Sequence, residues 1–240
     1  MGGVSVTDED VLAFDGTDFS LYFDGSDVGV TGDIDALGVI SDTEMLLSLT
    51  GSASIPGISG TVDDSDVIKF TGTFGPATSG SFEMFFDGSD IGLTSSGEDI
   101  DGVEVMLAPD GTTTHVLFSA IGAFSADGLS GGDEDIVACS SPTTGPVTSC
   151  GFLTLHYDGS DIGLGGSGED VDGVSVADGR IYLSTAGSFG VNGLSGADED
   201  VFVCDVPTTG PSSACGSWSL FFDGSAYGLA SNDLNALDLR

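Results

Sequence analysis

The chain has 240 residues, 40% of them hydrophobic, and a net charge of −36 from 39 acidic and only three basic residues, Lys69, Arg180 and Arg240. A charge of that size repels phosphate backbones and anionic membrane surfaces, which excludes nucleic acid as a partner, and no apolar run approaches the length needed for membrane insertion. Charged residues are only 18% of the chain and apolar ones recur in short regular runs, so the charge does not signal disorder, and a chain this long can bury a sizeable core.

The first six residues, Met-Gly-Gly-Val-Ser-Val, have neither the basic nor the apolar region of a signal peptide and read as an artificial boundary or a mature start. An Asp-x-Asp pair follows at Asp8 and Asp10, and Asp-Gly-Ser-Asp then runs from Asp24 to Asp27. A second pair, Asp33 and Asp35, comes next, then Asp64 and Asp66, then Asp-Gly-Ser-Asp again from Asp87 to Asp90. The order recurs as Asp99 and Asp101, Asp133 and Asp135, and Asp158 to Asp161. A last round has Asp170 and Asp172, Asp198 and Asp200, Asp-Gly-Ser-Ala from Asp223, and finally Asp233 with Asn235. One unit of 63 to 71 residues has been copied along the chain, and 22 of the 39 acidic residues hold aligned positions, so acidity is a property of the repeat.

Between the acidic marks lie apolar runs of five to eight residues bounded by Gly, Ser, Asp and Pro, the pattern of strands; no segment sustains a 3.6-residue period, so helices are not expected. In the second unit the strands are predicted at Asp99 to Leu107, His115 to Ala120, Asp135 to Cys139 and Phe152 to Tyr157. In the third they are predicted at Val171 to Ala177, Arg180 to Thr185, Val201 to Cys204 and Trp218 to Phe222. Residues 4–24 predict a short second strand, a third and an outer one, and Asp233 to Leu239 the missing inner strand. The loops Gly51 to Val62, Gly122 to Gly132 and Gly187 to Ala197 are rich in Gly and Ser.

Four antiparallel strands per unit, repeated four times, predict an all-β fold: a single-domain four-bladed β-propeller over residues 1–240. Its blades are expected at about 32–90, 98–161 and 169–226, with 232–240 joined to 1–27 in a shared blade that closes the ring and removes the exposed sheet edge. Alternating strand direction then places both Asp-x-Asp pairs and the Asp-Gly-Ser-Asp string on one face, and the loops between third and outer strands on the other.

Cys139 and Cys150, then Cys204 and Cys215, occupy the same frame of consecutive units, while a zinc site would want closer clusters. Two disulfides are expected, and with them an oxidising, extracellular or cell-surface location.

Carboxylates two apart on a strand share a side, and one from a neighbouring strand can complete an oxygen cage of the kind calcium prefers. The expected calcium ligands are Asp24, Asp27, Asp33, Asp35, Asp64, Asp66, Asp87, Asp90, Asp99, Asp101, Asp133, Asp135, Asp158, Asp161, Asp170, Asp172, Asp198 and Asp200. Ala226 and Asn235 replace aspartates in the last round, which predicts three good sites and a degraded fourth at Asp223. The competing readings are turn chemistry, since Asp before Gly forms turns well, and salt adaptation, which would scatter acids rather than keep them in register. His115 and His156 have no counterpart in other units and are expected to have structural or surface roles. No Gly-x-Ser-x-Gly elbow is present, and four near-identical carboxylate sets argue against one catalytic pair in unlike environments.

The units DGSDVGV at Asp24, DGSDIGL at Asp87 and Asp158, and DGSAYGL at Asp223 resemble the Asp-rich tandem repeats of predicted secreted or surface-attached bacterial proteins, across nearly the whole chain. The resemblance implies a propeller-like strand pattern and no particular activity. The function expected is that of a non-enzymatic extracellular calcium-binding module for surface adhesion, ligand binding or assembly, with a glycan or protein ligand or further copies of itself as partners. The alternatives are a carbohydrate-active enzyme using rim carboxylates and a structural subunit of a filament or surface layer.

Overall fold

The computed structural model describes residues 4–240; the first three residues of the range 1–27 lie outside the described residues. The fold is all-β and antiparallel. An N-terminal hairpin pairs β1 (Val11–Phe14) with β2 (Phe19–Phe23). A first four-stranded sheet follows in simple order: β3 (Ile34–Ser41), β4 (Glu44–Leu49), β5 (Val67–Thr73) and β6 (Ser79–Phe86). The second sheet contains β7 (Gly102–Leu107), β8 (Thr113–Ser119), β11 (Ile136–Ser140) and β12 (Phe152–Tyr157), and between β8 and β11 stands a small hairpin of β9 (Phe124–Ala126) and β10 (Leu129–Gly131). The third repeats that plan with β13 (Gly173–Ala177), β14 (Arg180–Ser184), the hairpin β15 (Phe189–Val191) and β16 (Leu194–Gly196), then β17 (Val201–Cys204), the short pair β18 (Pro207–Thr208) and β19 (Ala214–Cys215), and β20 (Trp218–Phe222).

The strands expected in the second and third units are therefore present, with β12, β17 and β20 at the predicted residues and the inner strands beginning later. Three features differ from expectation. Two of the predicted loops hold hairpins, because Asp127-Gly128 and Asn192-Gly193 both take positive φ and make the tight turn that right-twisted strands favour. Each Asp-Gly-Ser-Asp or Asp-Gly-Ser-Ala string forms one helical turn (Ser26–Val28, Gly88–Ile91, Gly159–Ile162, Gly224–Tyr227), closed by a glycine with φ between 83° and 101°. Finally, the chain ends are less regular than predicted: the N-terminal unit has only two strands, and residues 233–240 form no strand ladder.

The core consists of layers between successive sheets. Phe86, Val67 and Leu46 pack on Val116, Phe118 and Val137 of the next sheet, and Tyr157, Ile136 and Leu117 pack on Val174, Leu183 and Phe202 of the one after. Val11 and Phe23 of the hairpin pack on Met45, Leu47 and Phe70. Leu237, from the irregular C-terminal segment, packs with Tyr182, Val201 and Val203. Full burial of one such side chain contributes roughly 1.5–3 kcal/mol. The innermost strands β3, β7 and β13 lie side by side, and the C-terminal segment touches both outer members of that row. Asp238 accepts from the Val39 amide (3.1 Å), Asn235 donates to the Ile34 carbonyl (3.3 Å), and the Leu239 amide donates to Ser175 (3.2 Å). No helix among the described residues is long and apolar enough to cross a membrane.

Candidate functional site

The Asp-x-Asp pair before each third strand and the Asp-Gly-Ser-Asp turn after each outer strand recognise each other within a unit. Asp10, Asp66, Asp135 and Asp200 each use one carboxylate oxygen on an amide of their own turn and the other on the amide of Gly25, Gly88, Gly159 or Gly224. Those glycines have no room for a side chain, because a Cβ would run into the carbonyl oxygen of Glu9, Ser65, Glu134 or Glu199, the middle residue of the pair. The first aspartate of each turn, Asp24, Asp87, Asp158 or Asp223, accepts from the serine hydroxyl two residues on at 2.6–2.8 Å. Its partner at the end of the string faces the next unit: Asp90 accepts from the Thr148 amide (2.8 Å) and Asp161 from the Ser213 amide (3.0 Å). Asp66, Asp135 and Asp200 thus have both oxygens engaged. Asp24, Asp87, Asp90, Asp158 and Asp161 also hold turns or joints together, as the turn-chemistry reading expects; Asp27 lies in the exposed first turn after Gly25, its amide donating to the Asp24 carboxylate at 3.2 Å.

The remaining aspartates meet at the seams between units. Each seam begins with a backbone bond of one form: the amides of Ile34, Ile100, Val171 and Leu234 donate, each at 3.0 Å, to the carbonyls of Asp8, Asp64, Asp133 and Asp198. That bond places the first aspartate of an inner-strand pair beside the acid of the preceding unit, and the second aspartate of the preceding inner strand lies on the other side. The carboxylates brought within electrostatic reach of one another are Asp64, Asp99 and Asp35; Asp133, Asp170 and Asp101; and Asp198, Asp233 and Asp172. At the fourth seam Asp33 neighbours Asp8, and Asn235 donates to the carbonyl of Ile34 next to it.

Electrostatics shows the same grouping. Burial, and then the Asp99 charge, push Asp35 up to about 8. Burial followed by Asp64 raises Asp99 to about 7, and burial followed by Asp133 raises Asp170 to about 7. Asp233 rises to about 6 through burial and Asp198, and Asp33 rises through burial and Asp8. Burial puts Asp101 and Asp172 well above the ordinary carboxylate range, with Asp170 the next contributor at Asp101. Desolvation disfavours the charged form, and neighbouring like charges add to it.

These carboxylates are also short of partners. Both oxygens of Asp101 and one each of Asp35, Asp99, Asp170 and Asp172 are buried without a hydrogen bond, and so is the Ser119 hydroxyl behind Asp101. Asp172 keeps one bond, accepting from Ser184 at 2.7 Å. Unpaired buried carboxylate oxygens are costly, and either a proton or a cation relieves them. Among the described residues, no three histidine, cysteine, aspartate or glutamate side chains are already gathered closely enough to hold a metal ion.

Both disulfides form, Cys139 with Cys150 and Cys204 with Cys215. The loops they close are not set apart on an opposite face, as strand direction suggested. Gly145 donates to the Phe85 carbonyl at 2.7 Å and Thr148 accepts from the Asp87 amide at 2.8 Å, so the loop reaches the acidic turn of the preceding unit. His115 bonds Thr114, and burial lowers His156, in keeping with structural roles.

Glu104 escaped sequence reasoning. It sits on β7 with its carboxylate accepting from the Ser175 hydroxyl and the Val176 amide of the neighbouring inner strand (both 3.1 Å), and burial raises it to about 7. A lone Glu inside the apolar run Gly-Val-Glu-Val-Met-Leu was its only signal. No family model matches the chain, and no curated protein matches it at a significant level.

Proposed function

We propose that the chain closes into a four-bladed β-propeller whose fourth blade combines the N-terminal hairpin with residues 233–240, and that it acts outside the cell as a non-enzymatic calcium-binding module for surface adhesion or assembly. The observation that carries this reading is the clustering of acids at the seams, repeated at all four unit boundaries with one backbone hydrogen bond in common and with buried oxygens lacking partners at three. Carboxylate and carbonyl oxygens suit a hard cation, and calcium tolerates irregular sets of six to eight such ligands. The residues that would hold it are Asp35, Asp64 and Asp99; Asp101, Asp133 and Asp170; and Asp172, Asp198 and Asp233. The seam of Asp8, Asp33 and Asn235 has one charge fewer and is the weakest. Calcium there would neutralise charge that now opposes the packing of neighbouring sheets, so binding and closure support each other. The two disulfides favour an oxidising compartment.

Elemental analysis and melting curves with calcium or chelator test the reading. Up to three ions per chain are expected, with about 2.7 kcal/mol of stabilisation at a hundredfold excess over Kd. Asp101→Asn should remove one ion and leave two. A metal-free protein whose melting is indifferent to calcium would refute the cation reading.

A further inference from the structure

Every outer strand carries a bulge one residue before its last: the register skips Tyr22, Phe85, His156 and Phe221. A bulge turns a backbone group out of the ladder, and at three of the four positions the following unit uses it. Gly75, Gly145 and Gly210 donate to the carbonyls of Tyr22, Phe85 and His156 at 2.6–2.8 Å. Two residues on, the amides of Asp24, Asp87 and Asp158 donate to the hydroxyls of Thr78, Thr148 and Ser213 at 2.8–2.9 Å. Each hydroxyl in turn donates back to its own glycine carbonyl. The three incoming loops share one sequence, Gly-Pro-x-Thr or Gly-Pro-x-Ser, at Gly75, Gly145 and Gly210.

The fourth position has the bulge without the loop. The unit after β20 turns through Asp15-Gly16-Thr17-Asp18, too short to reach across, and places the Phe14 ring against Phe222 and Tyr227 instead. The consequence is visible in exposure at equivalent positions: Phe23, Phe86 and Tyr157 are buried whereas Phe222 is only half-buried, and Phe85 is 7% exposed whereas Phe221 is 52%; Leu220 and Tyr227 beside it are exposed as well. Among the described residues, no loop amide reaches the Phe221 carbonyl and no hydroxyl reaches the Asp223 amide. Ala226 stands where Asp90 and Asp161 accept the loop amide, so the acidic residue is missing where the loop is missing.

We infer that the end of β20, from Leu220 to Tyr227, is a docking site for a Gly-Pro-x-Thr or Gly-Pro-x-Ser segment of another polypeptide, bound as the three internal loops are bound. The Phe221 carbonyl takes the glycine amide, the Asp223 amide takes the hydroxyl, and Leu220 and Phe221 lie under the proline. The occupant is defined by three examples within the molecule, and main-chain pairing at a strand end is an established mode of peptide capture. The chain's own loops are all engaged at their joints.

The probe is a disulfide-closed peptide with the sequence of residues 139–150, already bent for docking, titrated into the intact protein and followed by amide chemical shifts and by the fluorescence of the single tryptophan, Trp218. Saturable shifts confined to residues 220–227 are expected. Ala226→Asp should tighten binding about tenfold by restoring the acceptor, and Thr148→Val in the peptide should weaken it about tenfold. The inference is overturned by an absence of saturation at millimolar peptide with both proteins, by equal binding of the valine peptide, or by shifts centred on residues 85–90 or 156–161. Self-association that the peptide abolishes would make a second copy the occupant and overturn the assignment to another polypeptide.

Discussion

Two joints of this molecule start from the same outer-strand bulge and finish differently. Between the first and second sheets, Gly145 and Thr148 seal the strand end of β6, Phe86 is fully buried, and Asp90 holds the loop amide. Between the third sheet and the N-terminal hairpin, an aromatic cluster of Phe14, Phe222 and Tyr227 replaces the loop, and the strand end stays exposed. The departures at Ala226 and Asn235 looked alike in sequence, as two lost ligands of one degraded cation site. They belong to separate places. Ala226 marks a joint without a loop, and Asn235 marks a seam with one carboxylate fewer.

The largest effect is expected from deleting residues 233–240, which removes the segment that touches both β3 and β13. Burial of Leu237 and part of Leu234 and Leu239 predicts a loss on the order of 5 kcal/mol, read by calorimetry. An unchanged transition would show that these contacts contribute nothing to stability.

Replacing Cys139 and Cys150 with serine should cost about 3 kcal/mol in urea denaturation, through the closed loop of the unfolded chain. The first sheet's loop, docked by Gly75 and Thr78 without a disulfide, is the internal control: the same Gly145 and Thr148 contacts should persist in the double variant's amide spectrum.

The seams predict a pH dependence of definite sign. Asp35 at about 8, Asp99 and Asp170 at about 7 and Asp233 at about 6 all lie above the unfolded carboxylate value of about 3.9. The folded chain therefore holds protons that the unfolded chain has released, and the associated stability, complete below about pH 4, is lost as pH rises through 6 to 8. In chelator, the melting temperature should fall between pH 5 and pH 8, and calcium should flatten the fall. Asp101→Asn, which copies the Asn235 arrangement into another seam, should raise chelated stability at pH 8 by about 2 kcal/mol. A drop instead would mean that the seam carboxylates are satisfied in solution. The smallest effect belongs to Thr78→Val, which deletes one joint hydroxyl and should cost about 1 kcal/mol in the same urea assay.

Much of the fold was legible because period-two apolar runs and turn residues are local signals. Phe152 to Tyr157, Val201 to Cys204 and Trp218 to Phe222 follow directly from them. The hairpins at Asp127-Gly128 and Asn192-Gly193 carried an equally local turn signal that the glycine and serine content of their loops obscured. Residues 233–239 carry an inner-strand pattern but form none, since the two-stranded N-terminal unit offers them no neighbouring backbone ladder.

The site divides in the same way. Recurrence in register identified which aspartates matter as a group, and the Asp-Gly-Ser-Asp turn needs only its own backbone to explain its glycine and serine. Which carboxylates meet depended on contacts between residues some 35 apart, such as Asp64 with Asp99, and no periodicity within one strand encodes such a distance. Composition and repeat therefore determined an acidic, disulfide-bonded, antiparallel β protein built from copies of one unit. Only the tertiary structure separated turn-forming aspartates, whose oxygens are filled by nearby amides, from seam aspartates, whose oxygens packing has stripped of water without supplying a partner.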